Sequence, residues 1–155
     1  ALPVPMAILI AVGIAVTLSL TKMRVGRYIY SIGSNEQATA LSGVRVFRVK
    51  LFAYGVSAVL GGLAGILWAA YGGQGDPSAG DGYELEAVAA AVVGGASLTG
   101  GQGSVFGTVL GALLLRVIFS AINLTSSSPD LWRGTILGGV LLFAVLVTAI
   151  QQNRR

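Results

Sequence analysis

The sequence contains neither cysteine nor histidine. These absences exclude disulfide bonds, thiol nucleophiles, imidazole bases and the usual zinc sites, so we predict no catalytic residue and no metal site. Charge is also scarce, because 10% of the 155 residues are charged, against about 25% in a typical soluble domain. With 54% hydrophobic residues and a mean hydropathy of +0.80, the composition is that of an integral membrane protein that is not an enzyme.

Four long apolar runs are each able to cross about 30 Å of hydrocarbon. They occupy residues 4–20, 51–71, 104–124 and 134–150. A fifth segment, residues 84–98, has a shorter apolar part and is interrupted by glycine, which predicts a short or broken span that is buried in protein or lines a cavity. We therefore predict an all-α integral membrane protein: residues 1–155 form a single transmembrane domain, a polytopic helical bundle with about five spans.

Basic residues cluster in the loop of residues 21–50 and at the end of the chain, whereas residues 72–86 and 123–133 are mostly acidic. The basic residues in question are Lys22, Arg24, Arg27, Arg45, Arg48, Lys50, Arg154 and Arg155. The positive-inside rule then places the basic loop and the C-terminus in the cytoplasm, which requires the short segment to cross. Because the cations lie beside apolar spans, they predict a lipid bilayer as partner and no nucleic acid, although the pI is near 9.9.

The stretch "SNEQATALSG", residues 34–43, is polar and helix-like between two spans. Ser34 and Gln37 have the spacing of a capping box, and Gly43 suits the left-handed residue that ends a helix. These features predict a cytoplasmic helix of about eight residues, 35–43. Such a short helix is marginal alone, and its few apolar residues suit a shallow notch in another protein. The alternative is a solvated helix that merely joins two spans.

Two longer motifs carry a resemblance. "YSIGSNEQATALSGVRVFRVKLFAYGVSAVLGGLAGIL" and, further on, "GYELEAVAAAVVGGASLTGGQGSVFGTVLGALLL" closely resemble the permease subunits of bacterial ABC importers for monosaccharides, the ribose and xylose type. In that family the first motif contains the coupling helix, which seats in a cleft of the ATPase subunit. The resemblance implies these ATPase contacts: Asn35, Glu36, Gln37, Ala38, Thr39, Leu41, Ser42 and Gly43.

The resemblance further implies that the chain corresponds to the C-terminal half of a permease about twice as long. Its expected partners are a second permease copy or paralogue, a cytoplasmic ATPase that carries ATP and Mg²⁺, and a periplasmic sugar-binding protein. No cofactor is expected on this chain itself. It would lie in the bacterial inner membrane and form a path for a monosaccharide or related polyol by alternating access.

Candidate residues along that path are Ser97, Thr99, Glu84, Glu86 and Arg116. Ser97 and Thr99 lie in "GGASLTGG", which is flexible backbone beside a broken helix, and simple packing flexibility is the competing interpretation. Glu84 and Glu86 are two residues apart and do not share a helix face, so they suit gating or helix positioning. Arg116 lies inside an apolar span, where it can pair with Glu84 or Glu86, extend towards the outer interface, or contact the path.

Glycines at four-residue spacing predict close approach of membrane helices. They are Gly61, Gly65, Gly103, Gly107, Gly111, Gly134 and Gly138.

Three rival functions stay open at this point: an ATP-independent secondary transporter or channel half, a permease of the branched-chain amino-acid type, and a membrane scaffold that recruits a cytoplasmic partner without moving solute.

Overall fold

The computed structural model describes residues 4–78, 80–125 and 129–152. Within these residues the chain forms seven helices and no strand. Three of the described helices are long and apolar enough to cross a membrane: Val4–Lys22, Val46–Gly72 and Val105–Leu124. The prediction of an all-helical polytopic membrane protein is therefore confirmed, whereas the number of crossings stays a prediction. The C-terminal Arg154 and Arg155, used above for orientation, lie outside the described residues.

The chain divides into two compact units, residues 1–81 and residues 82–155. The first unit contains α1 (Val4–Lys22), α2 (Arg24–Ser34), α3 (Glu36–Leu41) and α4 (Val46–Gly72). The second unit contains α5 (Tyr83–Val93), α6 (Val105–Thr125) and α7 (Pro129–Gln152).

In the first unit, α1 and α4 are apolar on all sides and neither contains a buried residue. Such helices are stable where lipid or other protein covers them. The N-terminus of α4 lies at Val46, earlier than the predicted start at residue 51, so its first turns carry charged residues. The C-cap of α4 is Gly73, whose φ of 69° is left-handed, a conformation that glycine adopts without a Cβ penalty.

Helix α2 lies where the sequence analysis expected only a loop. Its apolar residues recur at helical spacing, and Val25 and Ile29 line an apolar cavity of about 420 Å³ together with residues of α1 and α4. Gly26 permits the close turn from α1, because a Cβ there would overlap the carbonyl group of Leu20. The 3.6-residue period of these apolar residues is the sequence signal for a helix here. The arginines of the same segment also orient the chain, and that role alone does not predict α2.

The second unit has a small apolar core between its three helices. The buried side chains are Ala89, Ala90, Leu115, Phe119 and Leu137. Helix α5 has 11 residues, a length of roughly 16 Å, which is too short to cross the hydrocarbon alone. Residues 94–104 then form turns, with left-handed Gly95, Gly100 and Gly101, and lead into α6.

Close helix approach occurs at Gly107 and Gly111, where a Cβ would overlap backbone atoms of α5. A third residue, Gly94, was not predicted: a Cβ there would lie 2.6 Å from the backbone nitrogen of Thr108. Gly103 has a looser neighbour, with the Ala96 Cβ 3.3 Å away. The other predicted glycines have open space around a Cβ within the described part of the chain, and their packing role stays a prediction: Gly61, Gly65, Gly134 and Gly138.

Candidate functional sites

Helix α3 is capped at its N-terminus by Asn35, whose side-chain Oδ1 accepts a hydrogen bond from the Ala38 backbone N–H at 2.9 Å. The predicted capping role of Ser34 is wrong. Ser34 is the last residue of α2, and the Asn35 N–H continues that helix by donating to the Ser31 carbonyl at 2.9 Å. Asparagine is at least as good an N-cap as serine, so a single residue ends one helix and starts the next.

The far end of α3 follows the predicted pattern. Gly43 has a φ of 83°, and its N–H donates to the Ala40 carbonyl at 3.0 Å. The helix has six residues, fewer than predicted, because Asn35 and Ser42 serve as its caps. Its length is therefore roughly 9 Å, which makes it a compact element held between α2 and α4.

The predicted ATPase contacts differ in exposure. Leu41 is 90% exposed, whereas Thr39 is buried, and the Thr39 hydroxyl donates to the Asn35 carbonyl at 2.7 Å. Gln37 and Ala38 are exposed. The outer surface of α3 thus presents one large apolar side chain among small and polar neighbours, while Thr39 supports the helix from its inner side.

An ion pair joins α3 to α4. The Lys50 Nζ lies 2.6 Å from the Glu36 Oε2, and both side chains are about half exposed. The sequence did not predict this pairing, because the two residues are 14 positions apart. The resemblance implies an ATPase contact for Glu36, and Lys50 counts there only as one of the orienting charges. The contact gives the short helix a direct connection to the long one.

A second polar cluster lies within the unit of residues 82–155. The Arg116 Nη2 lies 3.4 Å from the Glu86 Oε2, and the Arg116 Cζ lies 5.5 Å from the centroid of the Tyr83 ring. Of the interpretations left open for Arg116, the structure shows the ion pair, and its partner is Glu86. Glu84 makes no ion pair within the described residues and is exposed, as expected for a carboxylate two positions away on another helix face.

The helices α5 and α6 run antiparallel, and their contacts define a register. Gly94 packs against Gly107, and Ala90 against Gly111. One turn further along, Glu86 pairs with Arg116. The cluster of Tyr83, Glu86 and Arg116 consequently lies at the N-terminus of α5 and near the middle of α6, a helix long enough to span a membrane.

Ser97 and Thr99 are not part of that cluster. They lie in the turn at the opposite end of α5, where their hydroxyl oxygens are 2.7 Å apart. The turn is closed by the Ser97 N–H, which donates to the Gln102 carbonyl at 3.0 Å. Ser104, which sequence reasoning missed, accepts from the Gly107 N–H at 3.0 Å through its hydroxyl and starts α6. The candidate path residues therefore form two groups, separated by the length of α5.

Comparison with known proteins gives matches that extend over both units. The family described as the branched-chain amino acid transport system permease component matches residues 2–146. The ribose import permease protein RbsC of Escherichia coli (strain K12) is 43% identical over 145 residues, covering 94% of this chain and 45% of that protein. The xylose transport system permease protein XylH of Haemophilus influenzae is 40% identical over 153 residues, covering 99% of this chain and 40% of that protein.

A more distant relative is the ribose import permease protein RbsC of Bacillus subtilis (strain 168), which is 37% identical over 146 residues, 94% of this chain and 45% of that protein. No solved structure matches the chain. The chain spans less than half the length of these curated relatives. The family match and these identities show that the chain belongs to the family of transport-system permease components that includes the ribose and xylose ABC permeases.

Proposed function

We propose that this chain is part of the permease subunit of an ATP-driven importer and forms half of a translocation path for a monosaccharide or related polyol. The observation that carries the proposal is α3, a capped helix with Leu41 exposed, in a chain similar to ribose and xylose permeases. Those relatives favour a sugar over the amino acids in the family's description. The chain itself performs no chemistry in this proposal.

The remaining parts of the importer are separate proteins. A cytoplasmic ATPase binds ATP and Mg²⁺, a periplasmic binding protein delivers the sugar, and a second permease copy or paralogue completes the path. The basic loop faces the cytoplasm and so presents α3 to the ATPase. Leu41 enters an apolar notch there, which buries its side chain and contributes roughly 1.5–3 kcal/mol.

Transmission of the ATPase stroke depends on how α3 is held. It shares Asn35 with the end of α2, and its Glu36 pairs with Lys50 of α4. A displacement of α3 therefore moves α2 and α4 with it, since packed helices move largely as rigid bodies. This movement opens the path alternately towards the two sides of the membrane.

Co-purification tests the proposal directly. The full-length parent protein is tagged, extracted from native membranes in mild detergent, and compared with Leu41→Asp. Wild type is expected to bring down an ATPase, and Leu41→Asp to lose most of it, because a carboxylate would be buried in an apolar notch. Tyr71→Asp is the matched control, since Tyr71 is 88% exposed at the other end of α4.

The outcomes separate the proposal from its rivals. Retention of the ATPase by Leu41→Asp would contradict the coupling role of α3. Absence of any ATPase with wild type, combined with solute uptake that continues without ATP, would replace the importer by an ATP-independent transporter. ATPase binding without uptake of any solute would favour a scaffold.

A further inference from the structure

Arg116 lies near the middle of α6 with few partners for its five N–H donors. Within the described residues its contacts are the Glu86 carboxylate at 3.4 Å and the face of the Tyr83 ring. At 3.4 Å the ion pair is longer than a good hydrogen bond. Because an unsatisfied guanidinium is costly in hydrocarbon, this position requires water, polar solute or further protein beside it.

Exposure differs between the two charged partners. The Arg116 side chain is 57% exposed, whereas the Glu86 side chain is 18% exposed. Glu86 is therefore held by the packing of α5, and Arg116 forms the open side of the cluster. A ligand that approached α6 at this level would meet the guanidinium first, with the carboxylate and the ring behind it.

The chemistry of the cluster suits a polyhydroxylated molecule. A hydroxyl group both accepts and donates hydrogen bonds, so one hydroxyl can accept from Arg116 and donate to Glu86. Hydrogen bonds to charged groups are stronger than those between neutral groups. The Tyr83 ring, over which the guanidinium lies, holds Arg116 in place for that contact.

We propose that Tyr83, Glu86 and Arg116 form a contact site for the hydroxyl groups of the transported sugar inside the translocation path. The proposal rests on the proposed transport function and adds a location to it. The position near the middle of a spanning helix, beside the start of a short one, is where transporters commonly bind their substrates. Brief contact at this site replaces part of the hydration that the sugar loses in the path.

Cysteine labelling tests the site, and this chain is well suited to it because it contains no cysteine. Ser120→Cys is introduced into a cysteine-free version of the full-length parent, reconstituted with its ATPase and binding protein. Ser120 is exposed and lies one turn from Arg116 on the same face of α6, so the guanidinium stays in place. Membranes are treated with a hydrophilic thiol reagent with and without ribose or xylose. The matched control is Ala121→Cys, because Ala121 is also exposed at the same depth but about 100° further around the helix.

The expected result is that Ser120→Cys reacts and that sugar slows its labelling at least about threefold, as when two thirds of the sites are occupied. Ala121→Cys is expected to show no protection, because it lies on another face of the helix. Labelling of Ser120→Cys that sugar does not slow, or equal protection of both positions, would overturn the proposal.

Uptake assays separate a solute contact from a structural role. Arg116→Gln is expected to lower sugar uptake while the ATPase still co-purifies and still hydrolyses ATP, and Arg116→Lys to retain more uptake than Arg116→Gln. Equal loss of uptake and of ATPase assembly would show a structural role and overturn the proposal. If wild type takes up no sugar with ATP, the proposed function itself fails; sugar uptake by wild type without protection at Ser120→Cys defeats only this site.

Discussion

Glu36 and Lys50 show how a single contact can connect a short helix to a long one. Their side chains are about half exposed, so the pair contributes at most about 1 kcal/mol to stability. In the proposed mechanism the pair matters because it positions α3 against α4, and its small contribution to stability is secondary. It fixes one side of α3 to α4, while Asn35 fixes the N-terminus of α3 to α2.

A charge exchange tests this connection. Glu36→Lys alone and Lys50→Glu alone place like charges together, and each is expected to reduce ATP-driven sugar uptake by up to about fivefold, the equivalent of about 1 kcal/mol. The double variant restores opposite charges and is expected to recover most of the uptake in proteoliposomes. If the double variant is no better than the single variants, Glu36 acts through the ATPase surface rather than through Lys50.

At the scale of helices, the contact between α5 and α6 depends on glycine. A Cβ on Gly107 would lie 2.8 Å from the Ser104 hydroxyl oxygen and overlap the Gly94 carbonyl, so Gly107→Ala forces the helices apart. We expect a loss of roughly 1–3 kcal/mol, typical of overpacking, seen as a lower midpoint of thermal unfolding in detergent.

Gly55→Ala is the control for that substitution, because a Cβ at Gly55 meets no atom within 4 Å in the described part of the chain. It is expected to leave the unfolding midpoint unchanged or to raise it, since alanine is the better helix former. An unfolding midpoint for Gly107→Ala equal to that of wild type would contradict the close contact of α5 with α6.

Local patterns in the sequence were sufficient to predict most helices. Continuous apolar runs predicted α1, α4 and α6. Residues 84–98 were predicted as one short or broken span, whereas α5 covers only Tyr83–Val93. The pattern favoured Ser34 as the cap of α3, but the cap is Asn35, and sequence separates the two poorly because both residue types are good caps. Nor could it select Glu86 over Glu84 as the partner of Arg116, which depends on how α5 rotates against α6.

At the scale of the whole molecule, the two units differ in how many apolar side chains they bury within themselves. The buried apolar side chains of the described residues lie in the unit of residues 82–155, whereas α1 and α4 bury none. Lipid tails are as apolar as leucine, so exposed apolar faces are not penalised in a membrane. The sequence therefore predicts well which helices can span the membrane, but it predicts poorly which helices pack against each other.

The orientation of the chain can be tested with single cysteines in the cysteine-free version of the full-length parent, to which these 155 residues contribute none. Ser42 follows α3, and Ser78 lies in the turns after α4, so a spanning α4 places them on opposite sides of the membrane. The cations of residues 21–50 predict that Ser42 is cytoplasmic. An impermeant thiol reagent added to intact spheroplasts is expected to label Ser78→Cys and to spare Ser42→Cys, with the reverse in inside-out vesicles. Labelling of both positions from one side would show that α4 does not cross, and the opposite pattern would direct α3 away from a cytoplasmic ATPase.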